Sequence, residues 1–222
     1  MKNFILIGAN SELATSFAEE LKLNKFNIYG ASRKVVPYLS ENNQIQLEDY
    51  IENYKDLLNF IKNIEEPYIV FFNGFLAENR PKYFPSYPEI TQTIQSNFLV
   101  PMELTNIINS QMKVKKFIYI SSMAAIKPRY KNYIYGLSKK NLEEFVKKSN
   151  NFIYLIVRYG QIKTKMSLGH NEPPFALTKD KASKKLIKIV QKKGLVYPTK
   201  SLLFISIVMR ILPIKLIERL EN

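Results

Sequence analysis

Residues 4–14 read FILIGANSELA, a short apolar run that passes through a glycine turn into a segment of helical spacing. The uninterrupted apolar run indicates a buried strand, and the apolar residues that recur from Leu13 onward indicate a helix. Gly8 and its small neighbours let backbone amides approach a phosphate, whose charge the helix N-terminus favours. By itself the segment fits an ordinary strand–helix turn capped by Asn10 or Ser11 equally well.

The same alternation of short apolar runs and helical stretches continues outward to the end of the chain. The expected strands are residues 3–8, 26–31, 44–47, 68–73, 116–121, 152–157 and 195–197. Parallel strands need crossover connections, and near-continuous apolar strands are buried on both faces. The pattern therefore predicts an α/β fold in which helices flank a doubly wound parallel β-sheet. We expect one domain over residues 1–199, followed by an apolar and basic C-terminal helical tail over residues 200–222.

The composition excludes several chemistries and points to an anionic partner. The chain has no cysteine and a single histidine, His170, which we place in a solvated loop. Cysteine nucleophiles, disulfides, iron–sulfur clusters and thiolate zinc sites are thereby excluded, and no metal site is predicted. The net charge of +14 is distributed as −4 over residues 1–111 and +18 over residues 112–222. One face should therefore attract a phosphorylated substrate, an anionic membrane or a nucleic acid.

The two ends of the chain bear on its location. The apolar run of residues 4–7 is too short for a secretory signal and lacks a cleavage site, so we expect a cytoplasmic protein. The uncharged run of residues 202–209 is shorter than the roughly 20 residues that span a bilayer. With Arg210 and Lys215 it fits an interfacial helix at the inner face of the membrane. A helix packed against its own sheet or a partner subunit is an equal alternative.

Doubly wound sheets bind ligands at the carboxyl ends of their strands, so the residues after each run are candidates. The second strand ends at Arg33, with no acidic residue to hold a ribose 2′-hydroxyl. Arg33 suits a 2′-phosphate, and a solvated basic turn is the alternative. Asp49 follows the third strand, where it is placed to contact adenine or simply to meet solvent. The fourth strand ends at Asn73 and Gly74, where glycine allows close backbone approach.

Two further candidates lie on predicted helices. Asn97 interrupts an apolar helical stretch, where it lowers helix propensity and calls for a hydrogen-bonding role. Tyr135 and Lys139 are four residues apart, so they share one face of a helix. Tyr159 and Lys163 have the same spacing, but the residue thirteen positions before Tyr159 has no hydroxyl. Ser122 occupies that place before Tyr135, at a strand end where a substrate carbonyl could lie.

Taken in this order, the motifs resemble those of the short-chain dehydrogenase/reductase family over nearly the whole chain. The resemblance implies a single Rossmann-type domain that binds a nicotinamide cofactor, and Arg33 favours NADP(H) over NAD(H). It assigns catalysis to Ser122, Tyr135, Lys139 and Asn97. Together with Arg33 and Asp49 at the strand ends, it gives as cofactor-binding candidates Gly8, Asn10, Ser11, Glu12, Leu13, Asn73, Gly74, Tyr135, Lys139, Gly160, Ile162 and Thr164.

The chain departs from the family pattern at the glycine turn and after the sixth strand. Glu12 and Ala14 replace the second and third glycines, and Tyr159 replaces the usual proline. A carboxylate at Glu12 would repel a pyrophosphate unless it points away and serves the first turn of the helix. The chain is similar in these features to the branch that reduces decaprenylphosphoryl-2-keto-erythro-pentose. The shared positions are Gly8, Ser11, Glu12, Arg158, Gly160, Gln161, Thr164, Met166, Val208, Met209, Arg210 and Pro213.

The resemblance implies a reduction in which the cofactor supplies the hydride and the protein supplies a proton. Tyr135 would protonate the substrate oxygen, Ser122 would bind that oxygen, and Lys139 would lower the tyrosine pKa and hold the nicotinamide ribose. Asn97 would hold a water that links Lys139 to solvent.

The expected substrate is a keto-sugar or other ketone, which the basic, apolar tail favours as a lipid-linked phosphosugar. Soluble ketone or 3-oxoacyl reduction and a catalytically silent NADP-binding protein are the alternatives. The resemblance also implies a homo-oligomer. No nucleic-acid partner is expected, because the sequence contains no recognition module.

Overall fold

The computed structural model describes residues 1–79, 83–169, 172–173 and 175–219, and the side chains of all but the last of these. Seven parallel strands form one sheet in the order β3-β2-β1-β4-β5-β6-β9, so the doubly wound α/β fold is confirmed. The seven are β1 (Asn3–Ile7), β2 (Asn27–Ser32), β3 (Gln44–Gln46), β4 (Tyr68–Phe71), β5 (Lys116–Ser122), β6 (Tyr154–Tyr159) and β9 (Gly194–Val196). A separate two-stranded parallel ribbon, β7 (Ile162–Lys163) with β8 (Leu177–Thr178), follows the sixth strand and was not predicted.

Helices cover both faces of the sheet. The α-helices are α1 (Glu12–Leu23), α2 (Tyr54–Ile61), α3 (Tyr87–Ile94), α4 (Val100–Gln111), α5 (Tyr133–Lys148), α6 (Lys179–Ile189), α7 (Lys200–Ile211) and α8 (Ile214–Arg219). A π-helical turn at Gln95–Leu99 joins α3 to α4, where the sequence pattern predicts one continuous helix. Such turns often mark functional positions.

The strands are apolar on both faces because each face packs against its own helical layer. In β1, Phe4 and Leu6 belong to the core under α1 and α6, whereas Ile5 and Ile7 belong to the core under α2, α4 and α5. All four side chains are fully buried. This two-sided burial explains why the strand sequences are continuous apolar runs rather than alternating ones.

The C-terminal helices pack beside the end of β5. Leu202 and Met209 of α7 and Ile217 of α8 form a small apolar cluster with Met123, the residue that follows Ser122. The Lys127 ammonium donates to Leu212 O at 2.7 Å, at the C-terminal end of α7. Among the described residues, no helix combines the length and the hydropathy needed to cross a membrane. The tail is therefore a pair of short helices with one face on the domain.

The turn after β1 is pressed against the end of β4. Gly8 has φ of +81°, a conformation that residues with a side chain rarely adopt. A Cβ at Gly8 would lie 2.6 Å from Asn73 N and 2.9 Å from Asn73 Cα. The Gly8 amide donates to Ala31 O at 2.9 Å, which ties the same turn to the end of β2. Glycine is thus needed both for its backbone angle and for the close approach of two strand ends.

Replacing Gly8 by alanine should lower the free energy of unfolding by about 3 kcal/mol or more, because backbone strain adds to a clash with backbone atoms. Gly194→Ala is the matched control: Gly194 has φ of +75°, but a Cβ there would meet no atom within 4 Å. The control should cost only about 1 kcal/mol. Urea unfolding of both variants measures the difference, and equal losses would rule out the contribution of close approach.

Candidate active site

The carboxyl end of β5 and the first turns of α5 bring together the side chains that the sequence singled out. Ser122 is the last residue of β5, and its Oγ accepts a hydrogen bond from Ala124 N at 3.2 Å. Tyr135 and Lys139 lie one turn apart on α5. The Ser122 hydroxyl lies near enough to the Tyr135 hydroxyl to lower the pKa of that phenol. The Lys139 ammonium lies 5.9 Å from the centroid of the Tyr135 ring.

Gly136 allows α5 to start this close to β5, a role that the sequence analysis missed. A Cβ at Gly136 would lie 2.8 Å from Ala124 O and 3.1 Å from Pro128 Cα. The backbone of the segment after Ser122 therefore packs directly on the helix that carries Tyr135. A glycine directly after the tyrosine was the only signal in the sequence.

Asn97 lies in the π turn and faces the same site. It is fully buried, and its Nδ2 donates to Phe75 O at 2.6 Å and to Thr93 O at 2.8 Å. Its Oδ1 has no hydrogen-bond partner among the described residues. The same oxygen and the Lys139 ammonium lie 3.2 and 4.0 Å from the place where a Cβ on Gly74 would be. A buried acceptor is costly to leave unpaired, so this oxygen indicates a place for a water or ligand donor.

Burial controls the protonation of the central pair. It raises the pKa of Tyr135, and the nearby Ser122 hydroxyl offsets part of that rise. It lowers the pKa of Lys139 to about 8, against a partial opposing effect of the Glu143 carboxylate. The sequence analysis expected Lys139 to lower the tyrosine pKa, and the chain by itself has the opposite shift. Tyr135 is therefore a protonated donor at neutral pH.

A buried ionic network lies one helical turn after Lys139 on α5, and the sequence analysis did not find it. Glu143 is one turn further along α5, and its carboxylate binds the guanidinium of Arg158 through two nitrogens, with Nε at 2.7 Å from Oε1. The Ser121 hydroxyl donates to the same carboxylate at 2.6 Å, and Arg158 Nη1 donates to Tyr197 OH at 2.8 Å. Glu143 and Arg158 are only 1% and 5% exposed. The network joins α5 to the ends of β5, β6 and β9.

The glycine turn and α1 form the neighbouring part of the site. Ser11 caps α1 by accepting a hydrogen bond from Ala14 N at 3.1 Å, whereas Asn10 is exposed and does not cap the helix. Leu13 is buried in the core. The first amides of α1 have no carbonyl partner within the helix, as at every helix start. They open toward the strand ends, where an anion is favoured.

Asn73 and Gly74 lie between this turn and Lys139. The Asn73 Nδ2 donates to Ser96 O, and its buried Oδ1 has no hydrogen-bond partner among the described residues. Gly74 leaves a gap bounded by Asn97 Oδ1, the Met166 methyl group and the Lys139 ammonium. A side chain would fill that gap.

Arg33 and Asp49 lie at the other side of the site. Arg33 follows β2 and is exposed, so its guanidinium is free to meet an anion in solution. The Asp49 carboxylate accepts hydrogen bonds from Ile51 N at 2.6 Å and Glu52 N at 3.0 Å, and its second oxygen accepts from Gln95 at 3.2 Å. The carboxylate of Asp49 is thus used within the chain, and an adenine contact through it would compete with these bonds.

The segment after β6 completes the site. Gly160 packs against α7, since a Cβ there would lie 3.0 Å from the Leu202 side chain. Ile162 belongs to the ribbon β7, and Thr164 is the first residue before a single 3₁₀ turn, Lys165–Ser167. Tyr159 and Lys163, the alternative pair with the same spacing, contact different parts of the chain.

Tyr159 is buried, with its hydroxyl donating to Ala182 O at 2.9 Å, and Lys163 pairs with Glu172. His170, which the sequence analysis placed in a solvated loop, lies outside the described residues.

Glu12 does not point at the glycine turn. Its Oε2 accepts a hydrogen bond from Lys165 N at 2.6 Å, across 153 positions of sequence. The sequence analysis allowed for a side chain that serves its own helix, but not for a contact with the segment after β7.

The donor set as a whole fits a nicotinamide dinucleotide. A helix start and an exposed arginine suit its phosphates, while a buried ammonium and two unpaired amide oxygens suit its ribose and amide groups. The gap at Gly74 gives room beside these groups. The Glu12 carboxylate, at the start of α1, carries a charge that opposes such a ligand.

Replacing Lys139 by methionine should stabilise the fold at neutral pH. A pKa difference of one corresponds to about 1.4 kcal/mol, so lowering the lysine pKa from 10.5 to about 8 costs the folded state about 3 kcal/mol. Loss of the hydrogen bond to Ile120 O offsets part of this cost, so a gain of about 1–2 kcal/mol is expected.

The pH dependence of the stability difference between the wild-type protein and K139M tests whether the lowered lysine pKa is its cause. Between pH 8 and 10.5 the unfolded lysine still holds the proton that the folded one has released, so the wild-type chain gains stability relative to K139M as the pH rises. Urea unfolding at pH 7, 9 and 10 measures the stability difference between the two proteins, and the advantage of K139M should shrink at pH 9 and be lost or reversed at pH 10. Lys140→Met, at the exposed next position, should show none of it. A pH-independent difference for K139M would contradict this explanation.

Comparison with known proteins places the fold. No protein-family profile and no curated protein sequence matches the chain. A short-chain dehydrogenase from Burkholderia cenocepacia in complex with NADP is similar with a TM-score of 0.70 and 16% identity, over 95% of each chain. An alcohol dehydrogenase from Thermococcus sibiricus complexed with 5-hydroxy-NADP has a TM-score of 0.73 and 14% identity, over 89% of this chain and 95% of the other.

A short-chain dehydrogenase/reductase family oxidoreductase from Brucella ovis, in complex with a partially ordered NAD, has a TM-score of 0.66 and 13% identity. It is covered over 98% of its length and matches 88% of this chain. The chain therefore has the Rossmann-like fold of the short-chain dehydrogenases and reductases.

Proposed function

We propose that the protein is an NADP(H)-dependent reductase that converts a ketone to an alcohol. The arrangement of Ser122, Tyr135 and Lys139 carries the proposal: a serine hydroxyl near enough to the tyrosine hydroxyl to lower its pKa, with an ammonium 5.9 Å from the tyrosine ring. Simple nucleotide binding would not need this group. Structures of the same fold that contain NADP or NAD support a nicotinamide cofactor.

A bound nicotinamide would supply the hydride, and the chain's own residues would control the substrate oxygen. Ser122 would donate a hydrogen bond to that oxygen and stabilise the negative charge that develops on it. Tyr135 would transfer its phenolic proton to the same oxygen. Its raised pKa keeps that proton in place at neutral pH until the oxygen becomes more basic.

Lys139 and Asn97 would return the proton. The Lys139 ammonium would donate a hydrogen bond to the Tyr135 oxygen after that group has given up its proton. The Lys139 pKa of about 8 makes proton exchange possible near neutral pH. The unpaired Asn97 Oδ1 would hold a water next to it. Gly8, Asn10, Ser11, Leu13, Asn73, Gly74, Gly160, Ile162 and Thr164 would line the cofactor cleft, with Arg33 at the 2′-phosphate and Asp49 near adenine.

Tyr135→Phe should lower kcat for ketone reduction by roughly 10²–10⁴-fold, because the proton donor is lost while the ring remains. The Kd for NADPH should not change. Tyr133→Phe removes a hydroxyl from the same helix at a position that is 47% exposed, so it should leave both quantities unchanged. Absorbance at the NADPH band over a ketone panel gives kcat, and calorimetry gives Kd. Undiminished turnover in Y135F would overturn the assignment.

Arg33→Ala should raise the Kd for NADPH about tenfold and leave the Kd for NADH unchanged, because only NADPH carries a 2′-phosphate. Lys34→Ala changes the neighbouring exposed cation and serves as the control. Thermal-shift titrations with both nucleotides give the comparison. If the wild-type protein binds both equally and R33A changes neither, Arg33 is only a solvated turn residue. If neither nucleotide stabilises the wild-type protein, a catalytically silent scaffold replaces the enzyme.

We further propose a keto-sugar carried on a polyprenyl phosphate as the substrate, reached at the inner surface of a membrane. The outer face of α7 supports this: Leu203, Phe204, Ile207 and Ile211 are 47%, 68%, 50% and 76% exposed and fall on one side of the helix. The opposite side packs on Met123. Lys200, Arg210 and Lys215 flank the apolar stripe and would attract anionic lipid.

Binding to vesicles tests the outer face of α7. The protein should sediment with vesicles of phosphatidylcholine and phosphatidylglycerol, less with phosphatidylcholine alone, and less at high salt. The double variant F204D/I207D should lower the partition coefficient at least tenfold, since burial of each side chain is worth about 1.5–3 kcal/mol. Leu23→Ser changes a leucine at the end of α1 that is 76% exposed, and it should have no effect.

Two results would replace this substrate class. If the double variant converts a dimer to a monomer and the wild-type protein ignores vesicles, the face binds a second copy of the chain, as the resemblance to oligomeric enzymes implies. Full activity on water-soluble ketones, without any effect of lipid or of F204D/I207D, would identify a soluble ketone or 3-oxoacyl reductase.

A further inference from the structure

Glu12 makes a contact that the proposed reaction does not use. It is the first residue of α1, and its Oε2 accepts a hydrogen bond from Lys165 N at 2.6 Å. Lys165 begins the single 3₁₀ turn that follows the ribbon strand β7. The carboxylate therefore joins the turn after the first strand to the segment after the sixth. We call residues Ile162–Ser167 the strap.

The contact places the Glu12 carboxylate between two features that favour an anion. At one end it lies in the first turn of α1, where the helix start favours negative charge. At the other end it pairs with an amide at the start of a 3₁₀ turn, an amide with no carbonyl partner in that turn. A hydrogen bond to an ionised acceptor is stronger than one between neutral groups. Glu12 thus occupies a site with the donors that a phosphate would use.

The strap has few other attachments of comparable strength. β7 pairs with β8 through two residues, and the hydroxyls of Thr164 and Ser167 bond within the strap itself. Lys163 forms an exposed ion pair with Glu172, a kind of contact that stabilises little. The bond from Lys165 to Glu12 therefore stands out as a long-range polar contact between the strap and α1.

We propose that Glu12 holds the strap against α1 in place of a phosphate, and that a dinucleotide must displace the carboxylate from Lys165 in order to bind. This inference rests on the nucleotide binding proposed above. It explains how a carboxylate is accommodated at the glycine turn: the charge is satisfied internally while no phosphate is present. It also implies that Glu12 weakens nucleotide binding, because the displaced carboxylate must find a new partner beside a second anion.

The effect of Glu12 on nucleotide affinity distinguishes this role from a merely structural one. If Glu12 only stabilised the site, its substitution would weaken NADPH binding. If Glu12 competes with a phosphate, Glu12→Gln should bind NADPH about tenfold more tightly than the wild-type protein, because the repulsion is removed. Glu19→Gln makes the same change of charge at an exposed position of α1 and should leave the Kd unchanged. Calorimetry with NADPH measures all three.

Amide hydrogen exchange of the nucleotide-free protein tests the strap directly. Protection of the Lys165 amide should be lost at least tenfold in Glu12→Ala, which removes the acceptor. It should largely persist in Glu12→Gln, because the side-chain amide oxygen still accepts a hydrogen bond. Exchange in the β5 core serves as the internal standard for global stability. Unchanged protection of Lys165 in E12A would overturn the role of Glu12 in holding the strap.

The two measurements separate this inference from the proposed function. NADPH binding that is equal in the wild-type protein and E12Q, or weaker in E12Q, overturns the displacement of Glu12 and leaves the reductase intact. Failure of every variant to bind NADPH, with Lys165 protection still dependent on Glu12, overturns the reductase and with it the displacement.

Discussion

The buried Glu143 carboxylate is the interaction on which the arrangement of the site depends. It accepts hydrogen bonds from Ser121 and from two nitrogens of Arg158, so it fixes α5 against the ends of β5 and β6. Ser121 precedes Ser122, and Glu143 lies one turn after Lys139. Removing one partner of a buried ion pair leaves an uncompensated charge, which costs about 3–5 kcal/mol. The positions of Ser122, Tyr135 and Lys139 therefore depend on a network whose disruption strongly lowers the free energy of unfolding.

This network also supplies the counter-charge for an unfavourable group. Burial lowers the pKa of Lys139 to about 8, and the Glu143 carboxylate limits the effect. Burial likewise raises the pKa of Tyr135. The lysine shift makes the fold less stable at neutral pH than an apolar side chain would, whereas the tyrosine shift has no such cost because the phenol is protonated in both the folded and the unfolded state. The two shifts place one protonated phenol and one readily exchanged ammonium side by side. Shifted pKa values of this kind are more common at functional sites than in cores that serve stability alone.

The parts of the molecule that follow local rules were predictable, and those that depend on distant contacts were not. The seven strands are confirmed because most of them are apolar runs bounded by polar residues, a pattern carried by neighbours in sequence; β3, with the sequence QIQ, is the exception. Tyr135 and Lys139 could be placed on one helical face for the same reason. The Glu12 contact spans 153 positions, and Asn97 in the π turn donates to Phe75 O, 22 positions away, as well as to Thr93 O. No periodicity in sequence encodes either feature.

The tail shows how one sequence signal carried two structural meanings. An apolar run with a flanking arginine fits both a membrane-surface helix and a helix packed on the domain, and α7 is apolar on both sides. Its inner side, with Leu202 and Met209, covers Met123 directly after Ser122. Its outer side exposes Phe204 and its neighbours. The exposed outer side of α7 is therefore separated from the end of β5 by a single helix, so the two meanings of the signal belong to opposite sides of one element.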